Sequence, residues 1–245
     1  MNKNKTIKKI IIELIAIIVS IYGMSKLITG PIMFTYFTII SNIFIVVMLM
    51  ISLIKDCINI LFNKNIILPN YIYTLKYLAT VYIAVTFLNY LLVIAPTNRE
   101  GFINSYLENG AGSFCVHIIT PILAIIDFIK YDNLYKSEKK HTLLVTIFPT
   151  IYFVGIMIAS LSGVMWENDM CVPYNFLNYK SSTGWFGFDL TQIGDKSIGI
   201  GVAYIAIISI FVYIGGGKLI TYLRNIVNKE EKNKEGKFIR RERYT

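Results

Sequence analysis

The stretch Phe34-Thr-Tyr-Phe-Thr-Ile-Ile-Ser-Asn42 opens an apolar run that continues to Ile54. It carries Thr38, Ser41 and Asn42 at positions i, i+3 and i+4, a spacing that places all three on one face of a helix. Hydrocarbon penalises polar groups unless they meet a partner or a cavity, so this face requires something polar in another segment. His117, in a later apolar run, is the best candidate.

The whole chain supports that reading. Its 245 residues are 55% hydrophobic and only 16% charged, with a mean hydropathy of +0.57. A soluble domain carries about 25% charge. Six apolar runs, near 10–24, 34–54, 71–95, 113–129, 143–164 and 198–220, each approach the ~20 residues that cross a bilayer as a helix. The expected fold is all-α and polytopic, with six transmembrane helices. The first run lacks the small-x-small cleavage site of a signal peptide and is expected to stay as a span.

All but four of the 24 basic residues lie in the N-terminus, the 2–3 and 4–5 connections and the C-terminal end. The four exceptions are Lys26, Arg99, Lys180 and Lys196. Positive charge stays on the cytoplasmic side, so both termini are expected inside, in a cell membrane. This placement accounts for the +9 net charge without nucleic acid as a partner. The spans occupy 1–222, and 223–245 is a charged cytoplasmic tail suited to lie on anionic lipid. The frequent use of Ile, Asn and Lys points to an AT-rich, bacterial source. The 5–6 connection, Trp166–Ser197, is rich in aromatics; it either lies at the interface as a belt or folds back as a lid.

With the helices oriented this way, Thr38 in span 2, Asn89 in span 3 and His117 in span 4 share a depth of roughly 6–9 Å from the outer ends at ~1.5 Å per residue. Thr86 and Tyr82 continue the Asn89 face. Such a set fits acyl transfer. A threonine hydroxyl becomes a nucleophile when a base within hydrogen-bond reach takes its proton, an imidazole is a suitable base, and Asn42 or Asn89 supplies an amide for the oxyanion. Any orienting carboxylate would come from Glu108, Glu167, Asp169, Asp189 or Asp195 in the outer loops. Each residue also has a plainer reading. Thr and Ser in spans bond the preceding turn, Asn89 serves as helix–helix glue, and Cys115 is a rival nucleophile. Glu13, Asp56 and Asp127 are expected at the interface or paired with lysines, and His141 is expected to be solvated. Cys57, Cys115 and Cys171 form no metal-ligand spacing, so neither metal nor other cofactor is expected.

Four landmarks carry a resemblance: Phe34–Asn42, Tyr90-Leu-Leu-Val-Ile-Ala-Pro96, His117-Ile-Ile-Thr-Pro-Ile-Leu-Ala-Ile-Ile-Asp127 and Pro173-Tyr-Asn-Phe-Leu-Asn178. The chain resembles a bacterial branch of the androgen-induced-gene and androgen-dependent TFPI-regulating proteins, the FAR-17a-like integral membrane proteins, over nearly its whole length. Animal members of that group are intramembrane hydrolases that cleave fatty acid esters of hydroxy fatty acids with a threonine and a histidine. The resemblance implies those roles for Thr38 and His117. The Ser41-Asn42 pair and the Pro173 loop are not matched to the animal proteins, and the animal substrate does not carry over.

The resulting expectation is an intramembrane lipid-ester hydrolase. Thr38 and His117 are its catalytic pair, with Asn42, Asn89, Ser41, Thr86 and Tyr90 forming the pocket or oxyanion site and membrane lipids as its partners. The alternatives are a non-enzymatic protein that binds a lipid or small molecule in the same pocket, and an acyltransferase using the same residues. A transporter or channel ranks last, because the inner halves of the spans read as almost purely Ile, Leu, Val and Phe.

Overall fold

The computed structural model describes residues 3–98, 101–194 and 196–242. In chain order the helices are α1 (Lys3–Leu27), α2 (Phe37–Leu61), α3 (Asn70–Asn89), α4 (Ala95–Thr97), α5 (Phe102–Phe114), α6 (Thr120–Tyr131), α7 (His141–Leu161) and α8 (Val202–Glu242). Two strands, β1 (Phe188–Gly194) and β2 (Ser197–Ile200), form an antiparallel hairpin before α8. Arg99 and Asp195, named above, lie outside the described residues, as do residues 243–245 of the tail and the side chains of Glu108 and of 231–242.

Among the described residues six helical stretches are long and apolar enough to cross a membrane. They match the six expected runs to within a few residues at most ends. The larger differences are the first, which starts at Lys3, the second, which runs on to Leu61, and the sixth, which begins at Val202 rather than Ile198 and runs on to Glu230. Ile198 pairs with Ile193 across the hairpin, and Gly199 at φ +76 sits in the left-handed region that helices do not use.

Two helices change register at a proline. Tyr90–Ile94 and Cys115–Ile119 are π-helical segments that run straight into Ala95-Pro96 and Thr120-Pro121. The N–H groups of Ala95 and Thr120 bond the carbonyls five residues back, of Tyr90 and Cys115. The prolines that follow have no N–H to continue the pattern. Helix α3 thus runs through its π turn into α4, and α5 through its own into α6.

Helix α1 packs on α2, α5 and α6, while α3 packs on α2, α6 and α8. Gly23 and Gly112 allow the α1–α5 crossing. A Cβ at Gly23 would stand 2.7 Å from Val116 Cγ1, and one at Gly112 would stand 2.8 Å from Lys26 Cβ. Small residues at a crossing let backbones approach this closely. Helix α7 shows Leu143, Ile147, Ile151, Val154 and Ile158 on its exposed side, at helical spacing. In water such an apolar stripe is a liability; against acyl chains it is matched to its surroundings.

The long connection after α7 folds back over the bundle. Trp166 Nε1 donates to Thr35 Oγ1 at 2.8 Å and Asn175 Nδ2 to Thr97 Oγ1 at 2.9 Å, while Val172 and Leu177 pack with Ile156 and Val202. At the other end of the bundle, Arg224 is buried and donates to the carbonyls of Asp132 and Tyr135. Packing therefore extends along α8 past residue 222.

Candidate functional site

Helix α2 starts at Phe37, and the first N–H groups of a helix have no partner within it. Two tyrosines fill the need. The Phe37 N–H donates to Tyr152 Oη, and the Thr38 N–H donates to Tyr174 Oη, each at 3.2 Å. The Thr38 hydroxyl lies 3.4 Å from the same Tyr174 oxygen. Burial raises the pKa of Tyr174 above that of an ordinary tyrosine, so its hydroxyl is a neutral donor and acceptor rather than a base. The folded-back connection thus places Tyr174 directly on Thr38.

Thr38 lines a cavity of about 350 Å³ together with Thr86, Asn89, Thr146, Thr150 and Ser209. Aromatic and aliphatic side chains form the rest of its wall, Tyr213 and Phe176 among them. Val154 and Ile210, also in the wall, are exposed on the apolar side of the bundle. The side chain of Asn89 makes no hydrogen bond to a described residue, and it lines the cavity.

The other expected residues take different positions. Ser41 Oγ and Thr86 Oγ1 bond each other at 3.1 Å and tie α2 to α3. Asn42 is saturated. Its Nδ2 donates to Thr38 O and Val116 O, and its Oδ1 accepts from Ser20 Oγ. The carbonyl of Val116 is the one that a π-register N–H at position 121 would have bonded, and residue 121 is proline; Asn42 fills that vacancy. With both amide hydrogens committed, Asn42 is a strut between three helical segments. Asn89 is the amide that remains available.

His117 sits in the Cys115–Ile119 π turn and is not a wall residue of the cavity. Its ring stacks on Tyr90 with centroids 3.7 Å apart and planes 17° apart, and Tyr90 Oη donates to Ser105 O at 2.5 Å. Nδ1 of His117 is buried without a hydrogen-bond partner, so no carboxylate orients the ring through that atom. Thr38 and His117 are not hydrogen-bonded to each other. They are linked through Asn42, which bonds the carbonyl of Thr38 and that of the residue preceding His117. Cys115 points toward α1, where its Cβ is 2.8 Å from the Cβ position of Gly23.

A second constellation lies at the end of the bundle bearing both termini. Lys9 Nζ is 2.7 Å from Asp56, 3.5 Å from Glu13 and 3.7 Å from Asp132. Lys76 Nζ is 2.5 Å from Asp127, 3.0 Å from Asp132 and 3.1 Å from Glu13. Ser52 accepts from both lysines. All six charged residues are at most 2% exposed. These acids do pair with lysines as expected, but inside the bundle rather than at its rim, and this half of the spans is not purely aliphatic. Lys76 and Lys9 outweigh burial at Asp132 and hold its carboxyl below the usual carboxylate range. His141, expected in solvent, is also buried, with Tyr135 Oη 3.0 Å from its Nδ1. No group of three or more His, Cys, Asp or Glu side chains among the described residues has the arrangement to hold a metal ion.

The sequence reading did not assign roles to Tyr174, Tyr152 or the α7 and α8 wall of the cavity. Tyr174 lay in a quoted landmark. Pro149 inside α7, which deprives that helix of a backbone bond, was the other local signal.

Fold and site together define a helical bundle with six stretches long and apolar enough to cross a membrane, an apolar cavity at one end and a buried ion network at the other. Compared with family models, curated proteins and solved structures, the chain matches none.

Proposed function

We propose that the chain is a multi-pass cell-membrane protein, with both termini cytoplasmic, that admits an acyl chain of a membrane lipid into the Thr38 cavity. The observation that carries this reading is the cavity's wall. It is aromatic and aliphatic, with Val154 and Ile210 reaching the lipid-facing side, and its few polar groups are Thr38, Thr86, Asn89, Thr146, Thr150 and Ser209. A site of a few hundred Å³ with sparse, converging polar groups is the usual form of a small-ligand pocket. The test is mass spectrometry of lipid retained by protein purified in mild detergent. Wild type retains stoichiometric lipid, and Ala206→Trp, which fills the cavity from α8, loses it. Equal retention by both proteins overturns the reading.

A second reading, hydrolysis of a lipid ester, is favoured by the unpartnered Nδ1 of His117 and by the resemblance to the FAR-17a-like hydrolases. In that reading the Thr38 hydroxyl gives its proton to His117 as Oγ1 bonds the acyl carbon. The alcohol leaves with the proton from His117. Water then attacks the acyl-threonine, its proton passing to His117, and the acid departs as Thr38 regains a proton. Asn89 and Tyr174 are the donors placed for the oxyanion. Proton transfer requires contact at ~2.6–3.2 Å, so ligand entry must bring Thr38 and His117 together. Labelling with a fluorophosphonate probe separates the two readings. Catalysis requires labelling that disappears in both Thr38→Ala and His117→Ala. Retained lipid with no labelling leaves a binding protein.

A further inference from the structure

Three polar atoms of the π turn and α6 are buried without a hydrogen-bond partner: His117 Nδ1, Thr120 Oγ1 and Asp127 Oδ1. Their side chains are 5%, 0% and 0% exposed. Thr120 and Asp127, seven residues apart, share one face of α6 about 10 Å apart at ~1.5 Å per residue, and His117 precedes Thr120 by three residues across the π turn. Between Thr120 and Asp127 stands Ala124, the smallest side chain of that stretch, fully buried against the apolar core. Native proteins rarely orphan three buried polar groups so close together. Where they do, internal water is the usual partner.

Asp127 joins a network that reaches solvent. A vestibule of about 730 Å³ at the end bearing the termini is lined by Lys3, Lys9, Asp56, Asp132 and Asn63. From it, Asp56 contacts Lys9 at 2.7 Å, Lys9 contacts Glu13 at 3.5 Å, Glu13 contacts Lys76 at 3.1 Å, and Lys76 contacts Asp127 at 2.5 Å. Glu13 Oε2 is a further orphaned oxygen in this network. The charged and titratable groups packed around this stretch are Lys9 and Glu13 from α1, Lys55 and Asp56 from α2, Lys76 and Tyr77 from α3, Asp132 and Tyr135 after α6, and Arg224 from α8. Lys55 and Arg224 are already engaged, with Asp56 and with the Asp132 and Tyr135 carbonyls. Chains of carboxylates and histidines inside a membrane bundle are typical of proton relays.

We infer that this face of α6 is a hydrated proton path, in which internal waters join Asp127 to His117 through Thr120 and the Lys–Glu–Asp network joins Asp127 to solvent. A proton leaving Asp127 for the adjacent water is passed on, each carrier receiving one proton as it gives one, until Nδ1 of His117 holds it. Asp127 is replenished through the network from the vestibule. The path does not depend on whether Thr38 is a nucleophile.

The test is water-edited solid-state NMR of protein carrying 15N-labelled histidine, reconstituted in lipid bilayers. His117 and His141 are the only two histidines, and a His141→Gln sample assigns the spectrum. His117 is expected to receive magnetisation from water in wild type and in Thr120→Ser, which keeps the hydroxyl. The transfer is expected to fall severalfold in Thr120→Val and in Ala124→Leu, which adds bulk between Thr120 and Asp127. The ring-current shift from Tyr90 reports that the His117 turn is intact in each variant. Absence of water transfer to His117 in wild type overturns the path. So does transfer unchanged by both the valine and the leucine in protein that retains the Tyr90 shift.

Discussion

The Tyr90 ring lies flat on the imidazole of His117, with centroids 3.7 Å and planes 17° apart. Each residue belongs to a π turn that ends at a proline, so the two irregular segments of the bundle meet at this one stack. A π turn carries an extra residue relative to an α turn and recurs at functional sites. Here it frees backbone carbonyls that side chains then bond, Val116 O to Asn42 being the instance seen. Truncating the stack tests its structural weight. Tyr90→Ala removes a buried aromatic, at a cost of about 3–5 kcal/mol, whereas Tyr90→Phe keeps the ring and loses the hydrogen bond to Ser105 O, about 1 kcal/mol. Thermal unfolding in detergent should therefore rank wild type, then Phe, then Ala. A Phe variant as unstable as the Ala variant would show that the hydroxyl, not the stacked ring, holds the segment.

Gly23 governs the opposite flank of the same turn. An added Cβ meets Val116 Cγ1 at 2.7 Å, Cys115 Cβ at 2.8 Å and the Gly112 carbonyl at 3.0 Å. Two of these are packed parts of the turn and the third is backbone, so the clash moves α1 away from His117. Gly23→Ala is expected to destabilise by about 1–3 kcal/mol, as overpacking does. Gly155→Ala, where nothing lies within 4 Å of the new methyl, should leave the midpoint unchanged or raise it. Comparison of the two variants by thermal unfolding separates crowding from the general effect of replacing glycine.

The six long apolar helices were legible because each is a local property, a run of apolar residues of bilayer length, and Thr38 and His117 drew notice because a polar group inside such a run stands out. The ion network was not. Lys9, Glu13, Asp56, Asp127 and Asp132 each fall near the end of a run, where sequence alone places a charge at the interface. Only tertiary packing, with Lys76 at the centre, turns five peripheral charges into one buried cluster. Tyr174 was hidden for a similar reason: it lies 136 positions from Thr38, and no periodicity links a loop residue to the start of a distant helix. His141 next to Lys139 and Lys140 reads as solvated, yet the turn before α7 folds it against Tyr135.

Asp132 gives the network a pH signature. Its carboxyl is held below the usual range by Lys76 and Lys9, which outweigh its burial. A depressed folded pKa contributes stability that is present above the unfolded value and is lost as the pH falls through the folded one. The melting temperature should therefore decline on acidification below the ordinary carboxylate range, near pH ~4. Asp132→Asn should start lower at neutral pH and show a shallower acid decline. A mutant whose decline parallels that of wild type would place the acid sensitivity in other carboxylates.

Lys76 is the residue on which the network depends most. Its ammonium serves Asp127, Asp132 and Glu13 at once, at 2.5, 3.0 and 3.1 Å, and Ser52 accepts from it as well. Removing one partner of a buried ion pair leaves an uncompensated buried charge, which costs about 3–5 kcal/mol. Replacing a whole buried set by apolar side chains of similar volume is often neutral. Lys76→Met should thus strongly reduce the folded yield and the melting temperature. Adding Asp127→Leu to Lys76→Met should restore part of the loss, because the closest orphaned carboxylate goes with it. Restoration should be partial, since Asp132 and Glu13 would then have only Lys9. The double-mutant cycle decides the matter. A coupling energy of at least 1 kcal/mol, within the range for residues in contact, means that Lys76 and Asp127 stabilise the bundle as a pair. Additive losses would mean that the lysine acts on the cluster as a diffuse charge, with Asp127 no more its partner than the other acids.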